Sequence, residues 1–546
     1  MKKNLLLFLH LFLFAAAYCQ EMKIPTAQLP KFKKDTFNIV KFGAKADGLT
    51  LNTISINNAI DACNKSGGGV VVVPAGFWLT GPIVIKSNVN LHLQKSALLQ
   101  FTSDFNQYPL TAGNWEGLPQ MRNQSPISAT NVENVAITGK GIIDGSGDAW
   151  RMVKRDKLNE TQWKKLVAKG GLISDDKKTW YPSEKTLNGS KVINPGVISP
   201  DRAPSYYDSI KDFLRPNMVL FTNCKKVLME GVTFQNSPAW CLHPLMCEQV
   251  TVRNISVKNP WYAQNGDGID VESCKNVLIE NSVFDVGDDA LCMKSGRDAE
   301  GRKRGMPTED VIIRGCTVYS SHGGFVVGSE MSGGARNIYV SNCTFIGSDI
   351  GLRFKTTRGR GGVVENIFIR DIYMKDIPGE AILFDMYYMA KDPIPLEGEK
   401  RELPKVELKA VDESTPIFRN IHISNLYCNG AQKAIFIRGL PEMHVKDIVL
   451  ENMVLQTNSG MDIQEASGIT FRNIELLSKN SSPAIDISQS DKLIFEKVSF
   501  GKNVELPFRI NGDRTGDVQI RNTNVNGSKG SISYELGATD KMVRIQ

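Results

Sequence analysis

The sequence predicts an all-β fold, a single-stranded right-handed parallel β-helix with an N-terminal capping helix, and three observations carry that reading. A run of the form x-[VI]-x-[VIM]-x-x recurs at Val227, Val250, Val277, Val311, Ile338, Ile367, Ile421, Ile448, Ile469, Leu493 and Val518, at intervals of 21 to 34 residues with one of 54. A second short apolar run falls between successive positions, at Ile269, Leu291, Val326, Leu352, Ile382, Ile435, Met461, Ile485 and Phe508. Gly and Asn mark the corners, and no long run with helical period follows residue 66. Self-similarity at such a period marks a repeat architecture, and short strands separated by turn residues exclude a helical solenoid. A single core that grows with repeat number explains how 546 residues form one long domain.

Taken in order, residues 1–19 combine Lys2 and Lys3, an apolar run and small residues before Gln20, the pattern of a cleaved export signal. The run is too short for a membrane span, so an exported, periplasmic or secreted protein without membrane insertion is expected. Lipidation at Cys19 is the alternative, disfavoured by the bulky Tyr18 before it. Residues 20–546 then form the β-helix domain. After a leading strand and turn at 36–50, Ile56, Ala59, Ile60 and Cys63 fall at i, i+3, i+4 and i+7 and end at Gly67, Gly68 and Gly69. That is the apolar stripe of an amphipathic helix, suited to plug the open end of a solenoid. The Val70–Val73 run reads as a buried strand.

Residues 151–215 break the repeat with lysines, prolines and the aromatics Trp163, Trp180, Tyr181, Tyr206 and Tyr207, and are read as a wall near a functional groove. The one double interval contains 390–414, a Pro-, Lys- and Glu-rich loop. The asparagines at strand ends, from Asn254 to Asn473, are corner residues that tolerate the left-handed conformation.

Ten cysteines in an exported chain raise the question of disulfides. Cys224, Cys247 and Cys274, however, hold one position in three successive repeats, which predicts a ladder of free, buried thiols. No cysteine has metal-ligand spacing, and neither a metal nor another cofactor is expected. The formal charge of +7, or +5 without Lys2 and Lys3, is weakly favourable to an anionic partner. No concentrated basic stripe with interleaved aromatics points to nucleic acid.

The chemistry is concentrated between Asn265 and Lys355. Stacked coils would bring Asp267, Asp288 and Asp289 from neighbouring rungs to one edge, about 4.8 Å per rung. Crowded carboxylates relieve their repulsion when one keeps its proton, and a protonated acid beside ionised ones is what glycosidic cleavage requires. Asp270 and Asp385 read instead as structural corner residues. Arg353 and Lys355, two apart on one strand, point to the same side and suit a substrate carboxylate.

The clusters Asn265-Gly266-Asp267, Gly287-Asp288-Asp289, His322-Gly323-Gly324 and Arg353-Phe354-Lys355 resemble, in order and spacing, the four signatures of the polygalacturonase family of glycoside hydrolases, family 28. The family commonly has Thr, Gly and Ile where this chain has Gly266, Ser321 and Phe354. The resemblance implies a pectin-lyase-like solenoid acting as a monomer on pectic polysaccharide or oligogalacturonide and hydrolysing α-1,4-galacturonan, and the excursion 151–215 and the loop 390–414, walling off one side of the groove, point to cutting from a chain end. It implies single displacement with inversion: Asp288 as general acid, Asp267 and Asp289 holding and deprotonating water, and His322 hydrogen-bonded within the carboxylates. Asn265, Arg353 and Lys355 would bind substrate, with Tyr387, or its neighbour Tyr388, closing the sugar site. A pectate lyase using the acids for Ca²⁺ and a non-catalytic polysaccharide-binding β-helix remain the competing readings.

Overall fold

The computed structural model describes residues 27–389, 408–502 and 504–546, so the expected signal at 1–19, Cys19 and residues 390–407 of the long loop lie outside the described residues. Among the described residues no helix is long and apolar enough to cross a membrane.

Parallel strands stack into coils with apolar side chains facing inward, a right-handed parallel β-helix. Val227, Val250, Val277, Val311, Ile338, Ile367, Ile421, Ile448 and Ile469 pair rung to rung along one ladder, and Leu493 pairs with Val518. The second runs form another ladder, Ile269, Leu291, Phe325, Leu352, Ile382, Ile435, Met461, Ile485 and Phe508. A third, from Phe234 through Phe284 and Phe345 to Phe500, completes each coil. Ile367 and Ile421 are direct neighbours, so the interval of 54 residues spans one coil and not two.

The helix Thr53–Lys65 buries Ile56, Ala59, Ile60 and Cys63 completely and packs against the strands Thr36–Asn38 and Gly69–Val73 at the N-terminal end. All nine asparagines singled out at strand ends, including Asn254, Asn281, Asn337 and Asn473, have φ between 49 and 56°. Their amides stack from rung to rung, as where Asn366 donates to Asn337 at 3.2 Å and Asn420 to Asn366 at 2.6 Å. Among the described residues nine cysteines are free and buried; the Cys247 amide donates to Cys274 Sγ at 3.3 Å, and the Cys224, Cys247 and Cys274 thiols donate to backbone carbonyls.

Two departures from the coil position the site. Residues 151–215 fold into the short helices Glu160–Val167, Glu184–Ser190 and Pro204–Ser209 with a small antiparallel sheet, elements the polar sequence did not advertise. Val153, Trp163 and Trp180 make a satellite core that also takes in Tyr262, while Tyr207, Ile210 and Leu214 pack on Leu110 and Met121. The second departure, which the sequence pattern did not distinguish from coil strands, is an antiparallel hairpin of Leu110–Trp115 and Leu118–Asn123. Trp115 stacks on Trp240 with ring centroids 5.3 Å apart, and Glu116 pairs with Arg297 at 3.4 Å. The turn must be Gly117: its φ is 75°, and a Cβ there would lie 2.5 Å from the Arg297 backbone nitrogen. Trp240 precedes the strand Leu242–Leu245 and Arg297 follows the strand Leu291–Lys294, so the tip of the hairpin touches residues at both the entry and the exit of that row of strands.

Candidate active site

The strands Ile269–Glu272, Leu291–Lys294, Phe325–Gly328 and Leu352–Lys355 lie side by side in one parallel row. The corners leading into them are hydrogen-bonded rung to rung: the Gly268 amide donates to the Asp289 carbonyl at 2.9 Å and the His322 amide to the Asp288 carbonyl at 3.1 Å. Gly287 sits where the neighbouring corner passes, since a Cβ would meet the Pro260 carbonyl at 2.4 Å. This backbone ladder brings oxygens of Asp267, Asp288 and Asp289 within 4.8 Å of one another, and among the described residues this is the group of acids that could hold a metal ion.

The three carboxylates are not equivalent. Asp289 is buried, with Lys355 Nζ 2.7 Å from one oxygen and Arg353 Nη1 3.3 Å from the other. Burial pushes this carboxyl up, but Lys355, Arg353 and Lys294 outweigh it and hold the group well below the usual carboxylate range. Asp267 is 3% exposed and its Oδ1 has no hydrogen-bond partner. Burial, then Asp270 and Asp288, push its carboxyl far above the ordinary value. Asp288 is the most open, its side chain 20% exposed. It accepts from the Asn265 amide at 3.1 Å and its neighbour's amide, that of Asp289, at 3.0 Å.

His322 Nδ1 lies 3.2 Å from Asp288 Oδ1, and Nε2 lies 3.8 Å from Asp349. The hydrogen bond to Asp288 raises the imidazole above its ordinary value, burial opposing. Asn265 reaches the cluster through its backbone, because its side-chain Oδ1 is taken by Arg215 at 2.8 Å. Tyr387 is not brought to the site. It is 6% exposed in the core, its ring facing Arg358 and Arg438, while Tyr388 lies over Lys355 and Arg353 at 4.8 and 5.6 Å. The turn after Met386 breaks the strand alternation, which is why spacing could not choose between the two tyrosines.

Asp385 is structural, as expected, bonded to Arg438 at 2.8 Å. Asp270 is not a corner residue: it is fully buried beside the cluster, 3.7 Å from Lys294, with neither oxygen hydrogen-bonded. Lys294 is itself held by Glu330 at 2.8 Å. Arg215, Lys294 and Glu330 were missed by sequence reasoning, which had left Tyr388 only as the alternative to Tyr387. Lys294 and Glu330 close the GDD and HGG clusters as plain strand-end residues, and Arg215 belongs to no repeat.

Clustered carboxylates of unequal proton affinity beside fixed cations, on a β-helix groove, define a glycosidase for acidic sugars. The family model "Glycosyl hydrolases family 28" matches residues 208–423, and "Rhamnogalacturonase A/epimerase, pectate lyase-like" matches 36–192. An exopolygalacturonase structure from Thermotoga maritima is 30% identical, covering 93% of this chain and 94% of its own with a TM-score of 0.62. The exo-poly-alpha-D-galacturonosidase of Dickeya chrysanthemi is 27% identical over 84% of this chain and 73% of its own length. A protein named probable polygalacturonase from Vitis vinifera is 30% identical over 62% of this chain, which spans 60% of that relative's length. The chain belongs to glycoside hydrolase family 28.

Proposed function

We propose that this enzyme hydrolyses α-1,4-galacturonosyl linkages of pectic galacturonan from a chain end. The observation that carries the chemistry is the inequality of the three acids: Asp289 held ionised by Lys355 and Arg353, Asp267 buried with its carboxyl pushed up, and Asp288 open to a ligand beside His322. In this reading Asp288 gives its proton to the leaving oxygen, Asp289 takes one from the attacking water, and Asp267 holds that water by a hydrogen bond. His322, which carries its proton to higher pH than a free imidazole, returns one to Asp288. Arg353, whose buried Nε has no partner, and Lys355 bind the sugar carboxylate under the ring of Tyr388. The acid oxygens are closer together than the roughly 6.5–9.5 Å of typical inverting pairs, so inversion rests on family membership, and the anomer first formed, read by proton NMR, tests it.

End-cutting is supported by the hairpin 110–123, whose tip touches residues at both the entry and the exit of the strand row. The wall expected of 151–215 acts through it, by packing on Leu110 and Met121. Release of galacturonate monomer from polygalacturonate supports the reading; rapid thinning with mid-length oligomers contradicts the end-cutting part. A lyase would instead give an ultraviolet-absorbing unsaturated product and stop with a chelator. The proposed setting is outside the cytoplasm, with the protein acting as a monomer, and cell fractionation with sizing of the purified enzyme tests both.

A further inference from the structure

The excursion 151–215 has fourteen Lys and Arg against eight Asp and Glu, an excess of six, when the whole chain carries +7. The excess of cations over anions on this one appendage is therefore nearly as large as that of the whole chain. Within it lies a cavity of about 700 Å³ lined by Lys154, Arg155, Lys178, Asp156, Asp176, Leu158 and Thr179. The charges are not matched one for one. Asp176 is engaged by Ser174 at 2.5 Å and by the Lys178 amide at 3.0 Å, while Arg155 makes a solvent-exposed pair with Glu160 at 3.3 Å and lies 5.8 Å from the Trp163 ring centroid.

The cavity is linked to the segment that leads into the acid cluster. Lys157, from the turn that lines it, places Nζ 5.6 Å from the ring centroid of Trp261, which is 52% exposed. Trp261 leads into Asn265 and Asp267, and its neighbour Tyr262 packs into the Val153, Trp163 and Trp180 core. An exposed indole with a cation beside it offers a stacking face for a sugar ring and a partner for its carboxylate.

We propose that this cavity, continued by Lys157 and Trp261, is a second binding site for an acidic saccharide segment, holding the polymer while its end is cut at the acid cluster. Rows of carboxylates spaced along a polyuronate meet the lysines without desolvating them fully, so binding is weak per sugar and useful only to long chains. The inference rests on the proposed polyuronate substrate, but binding can be read without turnover.

The test combines Lys154→Ala, Arg155→Ala and Lys178→Ala in one variant, with Trp261→Ala as a second. The Michaelis constant for polygalacturonate should rise about tenfold in the triple variant with kcat retained, while cleavage of digalacturonate is unchanged. In an Asp288→Asn background, calorimetry with an octagalacturonide should lose affinity with the same substitutions, more at low salt than at high. Equal KM and affinity in both variants, or equal binding of dextran sulfate and octagalacturonide, overturns the site. Binding that depends on these residues in an enzyme that does not cut galacturonan would keep the site and overturn the proposed activity instead.

Discussion

Lys355 Nζ lies 2.7 Å from Asp289 Oδ2, although 66 residues separate the two in the chain. Their meeting follows from the rung order, since Lys355 ends the strand Leu352–Lys355 and Asp289 opens the one two coils below it. The cation has two tasks in the proposed mechanism: it keeps the base ionised before substrate arrives and meets the sugar carboxylate afterwards.

Lys355→Met should therefore change the pH profile as well as the rate. Asp289 is held low chiefly by Lys355, then Arg353, against burial, so losing the nearest cation raises it. The base then protonates sooner as pH falls, and the acid limb of kcat moves to higher pH while kcat drops at least about a hundredfold. An unmoved acid limb would contradict this assignment.

Asp288→Asn keeps the shape of the carboxyl group but has no proton to transfer. Turnover on oligogalacturonide should fall by about three orders of magnitude or more with affinity largely kept, measured by product chromatography and calorimetry on one preparation. Unchanged turnover favours the polysaccharide-binding reading.

The alkaline side should report His322. Its imidazole is raised by Asp288, so the pair contributes stability below the unfolded histidine value and loses it as pH rises through the folded one. Activity should be greatest at acidic pH and decline along the same limb. A rate climbing steadily above pH 8 would exclude that role.

Loosening the hairpin should change the products. Arg297→Ala with Glu116→Gln removes the 3.4 Å pair that fastens its tip at the exit of the strand row. The monomer fraction from polygalacturonate, measured by anion-exchange chromatography, should fall and longer products appear. A product ratio identical to that of the parent places the end-cutting element elsewhere.

Phe354 is fully buried between the two cationic side chains of its strand and stacks on Phe384 with centroids 4.4 Å apart. Phe354→Ala should cost about 3–5 kcal/mol in chemical denaturation and also impair activity by releasing Arg353 and Lys355. A stable variant would show that neighbouring rungs repack around the gap.

The coil was legible because its apolar ladder is written into every repeat: Val227, Val250 and Val277 could be aligned from sequence and pair in the structure. The four clusters followed, as each sits at a fixed offset from that ladder. What leaves the coil has no repeat to betray it. The hairpin 110–123 alternates like any strand pair, and Arg215, which belongs to no repeat, finds Asn265 50 residues further along the chain. Tyr387 and Asp270 were misjudged for a different reason: which neighbour faces the groove depends on a turn and a covering layer, not on period.

Residues 151–215 leave the helix after Asp144 pairs with Gln235, and Ile127 still meets Val219 on the rung beyond. A 65-residue departure has shifted nothing in register, and lengthening such a loop costs only about 0.6 kcal/mol per doubling. Appendages can thus be exchanged like tools on a fixed handle. A lineage, or an engineer, can rewrite which polymer is grasped and from where, without disturbing the atoms that break the bond.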